Sequence, residues 1–146
     1  MASVVCLAVS ARAKPEKVTY CDLISSPDRH LGKQIRIRAI YKYAFEMQVL
    51  EPPDCCADKP VKIWVEVGPL NGRSRKLLQR FPSGMGLGLA TFTGILESGG
   101  PFGDGGYRYR FTIDQIDAVE ATAHPSATSP PNWEPQNCKP AIKSPD

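Results

Sequence analysis

Four cysteines, Cys21, Cys55, Cys56 and Cys138, carry the most distinctive chemistry outside the first 13 residues of the chain. They include no C-x-x-C pair and have no two histidines nearby, so they read as two disulfides of a short exported protein, for which three connectivities exist. The adjacent pair could close on itself only through a strained ring. One of Cys55 and Cys56 is therefore expected to reach Cys21, and the other Cys138. A metal site made from three or four of these thiols is the sharper alternative. Separations of 34 and 82 residues do not match zinc-ribbon spacing, and neither a metal nor another cofactor is expected.

The search for catalytic groups returns absences. His30 and His124 are the only histidines, and no nucleophile lies near either in sequence. His30, between Arg29 and Leu31, reads as a solvated turn residue. No Walker loop, G-x-S-x-G elbow or H-E-x-x-H helix occurs. The cluster Gly99-Gly100-Pro101-Phe102-Gly103-Asp104-Gly105-Gly106 leads into a strand and lacks a phosphate-binding lysine, so it reads as a hairpin loop. Asp114 and Asp117 are expected to cap a turn at the end of the last strand. Glu46, beside Phe45 at a bend, reads as a structural carboxylate bonded to backbone N–H groups, with ligand contact as the sharper alternative. No enzyme is expected.

Outward strand faces offer the best binding chemistry. Trp64 would lie near Arg108 and Arg110, with Lys62 beside them, if their two strands are neighbours. An exposed indole among guanidinium groups can stack on a ring or hold an anion. Arg36, Arg38 and Lys42 would extend that positive charge, and the blander alternative is a solvated face whose arginine stems cover the indole.

Strict alternation defines the strands that would position these groups. Residues 34–43 place Ile35, Ile37, Ala39, Tyr41 and Tyr43 on one face. Residues 61–67 turn Val61, Ile63, Val65 and Val67 inward, and 107–113 set Tyr107, Tyr109, Phe111 and Ile113 against Arg108, Arg110 and Thr112. A glycine-rich strand spans 87–97, and a short one at 46–50 ends at Pro52-Pro53. Helices are expected at 19–24, capped by Thr19, and at 73–80, after Asn71-Gly72 and before Pro82; a further turn at 28–31 closes at Gly32.

With 146 residues, 42% of them hydrophobic, and a net charge of only +3, the composition fits one domain and excludes charged disorder. No apolar run approaches the roughly 20 residues of a membrane span. Residues 1–13 combine a short apolar stretch with the small-residue ending Ala11-Arg12-Ala13 and read as a secretory signal, an N-terminal strand of a cytosolic protein being the alternative. Six of the 14 prolines fall in 124–146, an irregular tail that Trp133 and Cys138 would pin to the domain. The domain proper is 14–123, its packed core running from about residue 18. Strand, strand, strand, helix, strand, strand, with an added N-terminal helix, is the order of an OB-fold, a five-stranded Greek-key barrel with its helix between strands three and four; a short β-sandwich is the competing architecture.

The run Thr19-Tyr20-Cys21-Asp22-Leu23, then Pro27, Gly32-Lys33-Gln34-Ile35-Arg36-Ile37-Arg38, Phe45-Glu46, the Cys55-Cys56 loop and Ile63-Trp64-Val65-Glu66 resembles a group of small exported bacterial proteins of uncharacterised function with an OB-like domain. The likeness spans residues 18–119 and implies export to the periplasm or beyond, and that fold. The expected function is a non-catalytic binding module for another envelope protein or polymer, with Trp64, Arg108, Arg110, Tyr43, Phe45 and Phe102 as contact surface. An OB-type nucleic-acid or oligomer binder and a cysteine metal or thiol protein are the alternatives, the former disfavoured by the low net charge.

Overall fold

In the computed structural model, which describes residues 13–54, 56, 61–125 and 130–135, Ile35, Ile37, Ala39 and Tyr41 are buried while Arg36, Arg38 and Lys42 face outward. That two-residue period makes β2, Gln34–Ala44, a strand with one apolar and one polar face. Before it lies the short β1, Glu16–Lys17, and after it β3, Met47–Glu51, and β4, Ile63–Val67. Two 17-residue strands complete the sheet: β5, Gly86–Phe102, and β6, Tyr107–Ala123. The architecture is mostly β, a six-stranded mixed sheet in the order β1-β2-β3-β4-β6-β5. A further antiparallel pairing of β2 with β5, from Gln34↔Ile95 to Tyr43↔Gly86, closes the hydrogen bonding into a ring.

The long β5 pairs with β2 on one edge and β6 on the other, and its register against β6 shifts at four places. Gly94 sits at one of them. A Cβ there would run into the Thr112 carbonyl and the Phe111 ring, so the close approach requires glycine.

Two α-helices pack against the sheet. In α1, Tyr20–Ser25, Thr19 Oγ1 accepts a hydrogen bond from the Asp22 N–H at 3.0 Å. Its Tyr20 and Leu23 are buried, and the Tyr20 hydroxyl donates to the carbonyls of Leu50 at 2.7 Å and Val61 at 2.8 Å, tying the helix to the β3–β4 region. A disulfide from Cys21 to Cys56 adds a covalent tie across 35 residues. In α2, Gly72–Leu78, Asn71 caps the Ser74 N–H at 2.8 Å, and the buried Ser74 hydroxyl accepts from the Ile116 N–H at 3.0 Å, docking the helix on β6. A second, smaller apolar cluster of Ile40, Leu87 and Leu89 lies on the outer face, covered by Ala123 and Trp133. Among the described tail residues, Trp133 thus docks, and Glu134 adds an ion pair to Lys42 at 3.1 Å.

Several sequence expectations change. The last strand runs well past 113, so Asp114 and Asp117 lie within β6 and cap no turn. Strand β4 begins at Ile63, with Val61 42% and Val67 37% exposed. Only Val49↔Trp64 and Leu50↔Ile63 join it to β3, so Val61 precedes the ladder, and its carbonyl takes the Tyr20 hydroxyl instead. The chain before α1 adds a strand beside β2, placing Glu16 Oε2 3.9 Å from His30 Nδ1. His30 is accordingly only 12% exposed in its side chain, not a solvated turn residue. Helix at 28–31 appears as a 3-10 turn over Pro27–Arg29. Of the expected cysteine pairings, Cys56 is the partner of Cys21; Cys55, Cys138 and residues 1–12 of the expected signal lie outside the described residues. Among the described residues, no helix is long and apolar enough to cross a membrane.

Candidate ligand-binding cleft

Two turns frame the cleft. Strands β2 and β3 pair up to Ala44↔Met47, leaving Phe45 and Glu46 as a two-residue hairpin tip. Phe45 is 93% exposed there. Strands β5 and β6 pair up to Phe102↔Tyr107, leaving a loop of residues 103–106 with positive φ at Gly103 and Gly106. Between the two turns lies a cleft of about 420 Å³ whose lining includes Phe45, Glu46, Met47, Trp64, Asp104 and Tyr107.

Aromatic rings form its floor. Trp64 projects from β4 and Tyr107 from β6, with ring centroids 5.7 Å apart and planes tilted by 30°. Glycine keeps the hairpin loop against them: Gly103, at φ +60°, passes so near the indole that a Cβ would overlap it. Trp64 is half-buried, with the Gly103 backbone and the Tyr107 ring against it.

The arginines behave differently from the expectation of a positive face. Arg110 is the register neighbour of Trp64, yet it is held by two carboxylates, Glu97 at 2.8 Å and Glu66 at 3.1 Å, and lies 4.7 Å over the Phe102 ring. Arg108 does not line the cleft; its guanidinium lies 5.4 Å from the Tyr109 ring centroid. Lys62 pairs with Glu51 at 3.0 Å, and Arg38 with Glu120 at 2.7 Å. Cross-strand carboxylates have neutralised most of the row.

Glu46 and Asp104 have no such partner. Both are exposed, and neither accepts a hydrogen bond nor forms an ion pair among the described residues. Glu46 is thus not the backbone-bonded structural carboxylate expected from its aromatic neighbours. Tyr43 lies outside this cleft, half-buried and stacked on Tyr41 at 5.0 Å, with its hydroxyl donating to the Pro82 carbonyl. Of the six expected contact residues, the structure brings Phe45 and Trp64 into the cleft, sets Arg110 and Phe102 beside it as a stacked pair, and leaves Tyr43 and Arg108 elsewhere.

Tyr107, Met47 and Asp104 escaped sequence reasoning. Tyr107 shares the parity of the buried Tyr109 and Phe111, but as the first residue after the loop it turns to meet Trp64. Asp104 stood in a segment read only as a turn. No protein-family model matches this chain, and no curated protein matches it either.

Proposed function

We propose that the chain is an OB-type binding module without catalytic activity, working in an oxidising compartment outside the cytoplasm, and that its ligand is a neutral, hydroxyl-rich polymer lying across the aromatic cleft. The strand ring β2-β3-β4-β6-β5, closing on β2 with α2 between β4 and β5, supports the OB-type barrel, since that is the order of the fold's five strands and helix. The fold's usual ligand surface is the face of its second and third strands with the loops joining strands one to two and four to five. Those elements here are β3, β4, the Phe45–Glu46 tip and the 103–106 loop. The Cys21–Cys56 disulfide supports export, because thiols stay reduced in most cytosols.

Phe45 carries the binding reading. A phenylalanine 93% exposed at a hairpin tip contributes nothing to the core, and facing Trp64 and Tyr107 across a cleft it provides a stacking surface for a ring face. Two unpaired carboxylates, Glu46 and Asp104, accept hydrogen bonds from hydroxyls and repel phosphates. That charge disfavours the nucleic-acid alternative at this cleft, where affinity is led by phosphate contacts.

The test is Trp64 fluorescence in a Trp133→Phe background, titrated with soluble β-linked oligosaccharides of glucose or N-acetylglucosamine and with a single-stranded oligonucleotide. Saturable change with a sugar oligomer, lost in Phe45→Ala and Tyr107→Ala, supports the reading. Oligonucleotide binding that weakens with salt while every sugar is silent overturns it.

A further inference from the structure

A second cleft, of about 430 Å³, opens on the outer face of the sheet beside the N-terminal strand, remote in sequence from both turns of the aromatic one. Its floor is a cross-strand row. Lys17 of β1 pairs with Arg36 of β2, Arg36 with Thr93 of β5, and Thr93 with Gln115 of β6. Direct register partners project from the same face at strand spacing, about 4.8 Å apart, so the row is continuous across four strands. Lys14 lines one side, and Arg73, from the first turn of α2, another. Ser74, the next residue, locks that turn to the Ile116 backbone.

Four cationic side chains thus surround a space containing one carboxylate, Asp117. That carboxylate is already engaged: its Oδ2 accepts from the Thr93 hydroxyl at 2.7 Å and its Oδ1 from the Gln115 amide at 2.6 Å. Arg36 forms an ion pair with Asp117, Nε to Oδ2 at 3.4 Å, and its side chain is 39% exposed. Glu16, the acid next to Lys17, is directed to His30 and does not line the cleft. Arg38 and Arg110 each have a carboxylate of their own; here Lys14, Lys17, Arg36 and Arg73 share one, Asp117, which pairs with Arg36.

We propose that this cleft binds a tetrahedral oxyanion, a phosphate or sulfate group, between Arg36, Arg73, Lys14 and Lys17. Two guanidinium groups and two ammonium groups supply charged donors to three or four acceptor oxygens at once. Asp117 is the positioning residue, holding Arg36 in the row. The proposal goes beyond the aromatic cleft and does not depend on what binds there.

Calorimetric titration of the full chain with inorganic phosphate and with sulfate, against chloride at equal ionic strength, is the experiment. Saturable binding is expected for both oxyanions and not for chloride, with a gain in Tm of about 3–6 °C at ten times Kd. Lys17→Gln combined with Arg73→Gln, both exposed, should weaken phosphate at least tenfold, while Arg38→Gln leaves it unchanged. Should the double variant not fold, the single exposed Lys14→Gln is expected to weaken it about threefold. Tripolyphosphate binding more than tenfold tighter than phosphate would support a polymer-borne group, and equal affinity a free anion. Chloride reproducing the effect at matched ionic strength, or phosphate affinity unchanged in the glutamine variants, overturns the proposal.

Discussion

The two clefts are built on one sheet with opposite chemistry. Around Trp64 lie two half-buried rings and one exposed, the nearby arginine is clasped by Glu97 and Glu66, and the unpaired charges are carboxylates. Around Arg36 the described lining holds no aromatic ring, its one carboxylate is occupied, and the surplus charge is positive. A net charge of +3 averages these into an unremarkable surface, which is why composition argued only against phosphate-led binding. What matters to a ligand is which charges their neighbours leave unsatisfied, and strand register decides that. The local field, not the total, sets partner choice.

The largest effect should come from the link between the supports of both clefts. Cys21 follows β1, which carries Lys17, and Cys56 precedes β4, which carries Trp64. Closing a loop of 35 residues is worth about 3–4 kcal/mol in the chain-entropy account. Cys21→Ser, or reduction, should lower the stability by about that much in denaturant unfolding and weaken both ligands together. If only one ligand is affected, the two clefts are not jointly supported.

Alkaline pH should act next, again on both. Burial, and secondarily the charge of Glu51, pushes the Tyr20 phenol far above its usual range; burial, with Tyr43 second, raises Tyr41 to about 12. A raised folded pKa means that the unfolded chain loses its proton first. The stabilisation is complete below pH 10 and falls as pH rises through the gap, by about 1.4 kcal/mol per pH unit for each such tyrosine. Unfolding free energies measured between pH 9 and 12 should show this slope, and Tyr20→Phe should reduce it while costing about 1–3 kcal/mol for two carbonyls left unmet.

Smaller changes should separate the clefts. Gly103→Ala places a methyl against the Trp64 indole at a positive φ, costing about 1–2 kcal/mol and abolishing sugar-induced fluorescence change without altering phosphate binding. Phe45→Ala should leave the stability within about 0.5 kcal/mol and remove only the aromatic-cleft ligand. A phosphate affinity that moves with either substitution would mean the two regions are coupled.

Much of the sheet was legible because its signals are local. The alternation of Ile35, Ile37, Ala39 and Tyr41 specifies β2 without reference to anything distant, the cap Thr19 marks α1 where expected, and the expected Asn71-Gly72 turn stands at the start of α2, with Asn71 as its cap. The strand order placing β4 beside β6 brought Trp64 to Arg110 as anticipated. What escaped was set by partners far away in sequence. Whether Arg38 is a free cation depends on Glu120, and whether Lys42 is depends on Glu51 and Glu134. Asp117 read as a cap because nothing local signals a strand continuing through Asp114 and Gln115 to Ala123; its role comes from Thr93 and Arg36 across the sheet. Lys17 entered the basic cleft through two bridging residues of β1, too short a segment to carry a period.

The most direct test of the two-cleft account is an amide-resolved NMR titration of one sample, first with a neutral β-linked oligosaccharide and then with phosphate at constant ionic strength. The account predicts two disjoint sets of shifted resonances, residues 44–47, 64 and 103–107 for the sugar and residues 14–17, 36, 73, 93 and 115–117 for phosphate, each saturating regardless of the other. Shifts that coincide, or phosphate shifts scattered over every exposed lysine and arginine, would contradict it.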